Sequence, residues 1–143
     1  MTWLIGSGLV ALTVVLHSLG TSLMVMTLDG YRDWIVRQMR RNWRFTIMVP
    51  ISLWLLLIHS VEITIWAISY FVLKHKVDFE SFNDALYFSA VTYTTLGYGD
   101  ITISGDWRLL SGMEAMNGIF LCGWSSALLF VVVQQIWLTE RNR

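Results

Sequence analysis

Residues 92–100 read TYTTLGYGD and bring together hydroxyls, a carboxylate and an unusual run of backbone. Gly97 and Gly99 flank Tyr98. Alternating glycines suit neither a helix interior nor an ordinary strand, because each adds conformational freedom that folding must remove. What they permit is a ribbon that alternates between right- and left-handed residues, the glycines taking the left-handed positions without a Cβ clash. In a regular strand successive carbonyls point to opposite sides; in such a ribbon they can all point one way. A column of carbonyl oxygens with no donor opposite is costly unless a cation occupies it. A ring of such columns can replace the hydration shell of a potassium ion, and since one chain supplies one column, four copies are needed around an axis.

A second set of chemistry-bearing residues stands in apolar surroundings. Residues 1–28 contain no Asp, Glu, Lys or Arg, 45–73 contain only Glu62, and 109–139 contain only Glu114. His59 and Glu62 are three apart and so share a helix face, and His17 falls at a comparable depth in the first stretch. Ionisable groups inside a membrane are expensive and carry a functional hypothesis by default. Three readings stand for His17, His59 and Glu62: a hydrogen-bonded cluster that pins two helices, a proton-sensitive latch, or a metal site. Glu114 is expected to brace the 92–100 segment by accepting hydrogen bonds from Tyr93 or Thr92; a carboxylate lining an ion pathway is the rival reading.

The elements that must position these groups follow from charge and hydropathy. Hydrophobic residues make up 55% of the 143 and charged residues 14%, too few to cover three long apolar stretches with polar surface. Each stretch is long enough to cross about 30 Å of hydrocarbon. The first lacks a basic n-region and exceeds the 7–15 residues of a signal-peptide core, so it reads as a retained transmembrane helix. The expected order is helix A over 3–28, a basic loop over 29–44, helix B over 45–73, an outer segment, and helix C over 107–138. Pro50 is expected in the first turns of helix B. The lone Cys122 excludes an intrachain disulfide and reads as packing. Ten acidic and ten basic residues cancel, which offers nothing for a nucleic-acid partner.

Loop 29–44 carries Arg32, Arg37, Arg40, Arg41 and Arg44, and the tail carries Arg141 and Arg143. The positive-inside bias puts both on the cytoplasmic side, leaving the N-terminus and 74–108 outside. The arginine spacing invites comparison with a voltage sensor, but the intervening residues include Gln38 and Asn42 and the segment is short, which favours an amphipathic helix lying on anionic lipid. Acids outnumber bases in the outer segment, a balance that concentrates cations. Ser81 with Asp84 makes a capping box that starts a short helix toward Tyr93. That helix cannot span a bilayer, so with the irregular backbone after it the segment reads as a re-entrant loop.

With TTLGYGD standing between a short helix and a long one, the chain resembles the tetrameric potassium channels, above all bacterial ones with a minimal pore and no voltage sensor. The resemblance covers helix B through helix C and makes 45–143 the pore domain, with residues 1–44 an added helix and loop. It implies an all-α membrane protein of three transmembrane helices plus a pore helix and selectivity filter, assembled as a homotetramer in the bacterial inner membrane. It implies K⁺ as permeant ion at Thr95, Leu96, Gly97, Tyr98 and Gly99, with Thr94 in support and Asp100 behind the outer mouth. The Tyr98 ring would enter a packing cuff near Tyr87 and Phe88. Leu96 stands where the commonest filter has valine. Gly118 and Gly123 match the spacing of a gating hinge, although small residues also serve helix packing. Two other readings remain: a weakly selective cation channel, and a non-conducting regulatory or sensor protein on the pore fold. No nucleophile–base pair or phosphate loop supports an enzyme.

Overall fold

The computed structural model describes residues 1–38, 43–73 and 79–141. All regular structure among them is helical: α1 (Thr2–Gln38), α2 (Trp43–Val72), α3 (Phe82–Tyr93) and α4 (Arg108–Arg141), with one 3₁₀ turn at Gly105–Trp107. Three stretches are long and apolar enough to cross a membrane: Thr2–Leu28, Phe45–Val72 and Arg108–Gln135, of mean hydropathy 1.9, 1.8 and 1.9. Between 22% and 33% of each apolar window is buried within the chain, so most of each window is left uncovered by the chain's own described residues.

The expected boundary at 29 is corrected, because α1 continues through the first ten residues of 29–44 to Gln38, which agrees with the helical reading of the arginine spacing. Charge ends an apolar span, but it does not end helical hydrogen bonding, and no proline interrupts this run. Arg40 and Arg41 lie outside the described residues, as do Lys74, Lys76, Asp78 and Arg143. Helix α2 begins at Trp43, so Pro50 lies beyond the first two turns, inside the helix. Cys122 is exposed on α4 rather than packed.

Helix α1 packs on α2 and α4, and α3 is held between α2 and α4. Two apolar clusters secure these contacts. One gathers Trp66 and Tyr70 of α2, Phe88 and Tyr93 of α3, and Leu110 of α4. The other joins Met24, Ile51 and Leu55 with Leu128, Leu129 and Val132 toward the far ends of α1, α2 and α4. Tyr70 meets Phe88 edge-on, with centroids 5.2 Å apart and planes at 86°. Helix α1 is not tied by grease alone. Trp54 Nε1 donates to the Gly20 carbonyl at 3.0 Å, and Asn117 Nδ2 donates to Thr13 Oγ1 at 2.7 Å. A Cβ on Gly20 would stand 2.7 Å from Ile58 Cδ1, so the absent side chain lets α1 and α2 close together.

Candidate functional site

Helix α3 starts where its sequence says it should. Ser81 Oγ accepts from the Asp84 N–H at 3.3 Å, and Asp84 Oδ2 accepts from the Ser81 N–H at 2.8 Å. This reciprocal cap satisfies two amides that a helix start otherwise leaves unpaired. The far end is wound tightly. The Thr94 N–H donates to Ala90 O at 3.2 Å, Thr95 N–H to Thr92 O at 2.9 Å, and Leu96 N–H to Val91 O at 2.9 Å. The Gly97 N–H also reaches Val91 O, at 3.3 Å. Three successive amides of the segment after the helix therefore turn back onto the helix end.

The backbone beyond is irregular in a regular way. Thr95, Gly97 and Gly99 have φ of 59°, 57° and 81°, while Leu96 and Tyr98 between them do not have positive φ. The two glycines take the left-handed positions expected for them. Thr95 was not foreseen there, since a β-branched residue at positive φ is uncommon and carries a strain of order 1–3 kcal/mol. Its Thr92 bond and the Leu96 bond hold it in that conformation. Residues 94–100 are all exposed, Leu96 at 55% and Tyr98 at 67%. Tyr98 is thus not enclosed by Tyr87 and Phe88 of its own chain, and Phe88 buries its ring against Tyr70 instead.

Tyr87 Oη donates to Asp100 Oδ2 at 2.8 Å, bridging the first half of α3 to the end of the irregular segment. This bond holds the Asp100 carboxyl below the ordinary carboxylate range and pushes the Tyr87 phenol above its usual value.

Two buried carboxylates stand behind α3. Glu114 of α4 is fully buried and accepts from Tyr70 Oη at 2.7 Å and Ser89 Oγ at 2.5 Å. The expected partners Tyr93 and Thr92 are therefore corrected: helix phase turns Ser89, not Thr92, toward α4. Ser89 also bonds the Ile63 carbonyl at 2.8 Å, so one side-chain set ties α2, α3 and α4. Tyr93 Oη donates instead to Glu62 Oε2, at 2.6 Å.

Glu62 is the hub of the second set. Its Oε1 lies 2.9 Å from His17 Nδ1 and its Oε2 lies 3.0 Å from His59 Nδ1. Ser125 Oγ of α4 stands 2.9 Å from His59 Nε2 and 3.3 Å from His17 Nε2. Ser125 was not anticipated, for a serine in an apolar helix carries no signal until its neighbours are known. The three groups could present ligand atoms to one metal ion. Every one of those atoms already sits at hydrogen-bond distance from another, which favours the hydrogen-bonded arrangement.

Of the two glycines considered as a hinge, Gly118 is a contact point. A Cβ there would collide with the Tyr93 carbonyl oxygen, while a Cβ on Gly123 would meet nothing within 4 Å. α4 thus runs against the backbone at the end of α3.

A family model described as "Ion channel" matches residues 45–135, more than half of the chain, spanning α2, α3, the irregular segment and most of α4. No curated protein and no solved structure gives a match. Through that match, and with an all-helical fold carrying three potential spans, the chain belongs to this ion channel family.

Proposed function

We propose that the protein is a homotetrameric, potassium-selective channel that conducts K⁺ passively, with Thr95–Gly99 of each copy as its selectivity filter. The observation that carries this reading is the alternation of φ sign at Thr95, Gly97 and Gly99. With the amides of 95–97 directed at the helix end, the opposite edge of the ribbon is left to its carbonyls. Four such edges around an axis would make rings of oxygens able to replace the ion's hydration shell. The exposure of Leu96, Tyr98 and the rest of 94–100 supports assembly, because neighbouring copies would cover what one chain leaves open. The partly negative C-terminal end of α3 favours a cation at the segment that follows it.

The basic residues near 32–44 and in the tail support an inner-membrane orientation with the C-terminus in the cytoplasm and the N-terminus and filter mouth outside. Gly123, whose surroundings are open, is the better hinge candidate in α4; Gly118 serves close packing. Purified protein in planar bilayers under bi-ionic potassium/sodium conditions tests the proposal. A reversal potential far from zero in the direction of potassium supports it. A reversal near zero assigns the weakly selective reading that the Leu96 substitution raises, and an absence of any flux assigns a non-conducting role.

A further inference from the structure

His17, His59, Glu62 and Ser125 close a ring of polar atoms across α1, α2 and α4. Its four links are Glu62–His17 at 2.9 Å, Glu62–His59 at 3.0 Å, His59–Ser125 at 2.9 Å and Ser125–His17 at 3.3 Å. His17 and Glu62 are fully buried, and the His59 side chain is 14% exposed. Each hydrogen bond needs one proton. An ionised Glu62 brings none, a neutral imidazole brings one, and a hydroxyl brings one. Three protons are then available for four links, because the Tyr93 hydroxyl proton is used in its own bond to Glu62 Oε2. One additional proton completes the ring, and it also cancels the carboxylate charge. No lysine or arginine occurs in 1–28, 45–73 or 109–139, so within those spans only the ring's own imidazoles can supply that counter-charge.

We propose that this ring is a proton-binding site whose single labile proton latches α4 to α1 and α2. With the proton bound, every link carries a hydrogen and no net charge is buried. Without it, both Nδ1–H groups still serve the carboxylate, and two Nε2 lone pairs face one hydroxyl with one hydrogen. The missing hydrogen bond falls at Ser125, the only member on α4, so proton loss loosens α4 and leaves the α1–α2 bridge intact. Tyr93 couples the ring to α3: its Oη donates to Glu62 and lies 2.9 Å from His59 Nδ1, two residues before Thr95. Among the described residues, the other titratable groups nearby are Cys122 and Glu114, both on α4. The inference goes beyond the channel reading and stands without it.

Solid-state ¹⁵N NMR of the full chain in lipid bilayers, with labelled histidine and His75→Gln to clear the only other imidazole, reads the proton directly. At neutral pH both Nδ1 atoms and one of the two Nε2 atoms are expected to be protonated, with one deprotonation step as pH rises. Glu62→Gln removes the counter-charge and should move that step down by about one pH unit or more, a tenfold loss of proton affinity. Ser125→Ala leaves an imidazolium N–H without its acceptor and should also lower the midpoint, with a milder demand on folding. Two neutral imidazoles throughout about pH 5–9, two imidazoliums at neutral pH, or a midpoint that neither variant moves would overturn the proposal.

Discussion

At the scale of single residues, the two buried carboxylates differ in what surrounds them, and that difference makes Glu114 the easier to test. Among the described residues, its oxygens meet two hydroxyls, Tyr70 and Ser89, and no histidine. Glu114→Gln keeps an acceptor for Tyr70 and a donor for Ser89, so thermal unfolding in detergent should change little. Glu114→Ala strands the Tyr70 hydroxyl in the interior, leaves Ser89 only the Ile63 carbonyl, and opens a cavity, at a cost of order 2–4 kcal/mol. Asp100 carries a pH prediction whose sign follows from its lowered pKa. The folded value lies below the unfolded one, so the Tyr87 bond is intact above the ordinary carboxylate range and is lost as pH falls through the depressed value. Tyr87→Phe should move the Asp100 titration, read by ¹³C NMR of its carboxyl, back up toward an ordinary aspartate.

At the scale of elements, the close approaches decide how helices pass one another. Gly118 lies against the Tyr93 carbonyl, so Gly118→Ala should push α4 off α3. The expected effect is a destabilisation of about 1–3 kcal/mol with reduced potassium flux from liposomes, because the displaced residue precedes Thr95 by two. Gly123→Ala, with open space around it, should leave the melting temperature unchanged. Gly20 supports α1 in the same manner against Ile58. Gly20→Val should separate α1 from α2 and weaken the Trp54 bond to its carbonyl, seen as a red shift of Trp54 emission in a variant whose other tryptophans are replaced.

For the whole molecule, the proposed fourfold assembly predicts neighbours at the open face around residues 94–100. Native mass measurement in detergent or nanodiscs is expected to give four times the 16.5 kDa of one chain. A monomer or dimer under conditions that preserve flux would contradict the proposed fourfold filter. α1 packs chiefly on α2 and α4, and a continuous set of polar side chains, the Glu62 ring and Tyr93, leads from it toward residues 94–100. If residues 94–100 line the proposed pore, that arrangement links the N-terminal helix to it through hydrogen-bonded side chains.

Much of this was legible in the chain itself, and some was not. The apolar stretches, the capping box at Ser81 and the left-handed glycines depend on composition and local backbone sterics, which neighbouring residues in sequence decide. Which hydroxyl meets which carboxylate depends on helix phase and crossing, and these arise only when helices pack. So Glu114 paired with Ser89 and Tyr70 rather than with Tyr93, and Ser125 entered the Glu62 ring unannounced. Thr95 belongs to the same class, since its left-handed φ is held by bonds to the end of α3 and not by its own preference. Local sterics made the segment unable to be helix or strand; the helices packed behind it decided the shape it takes.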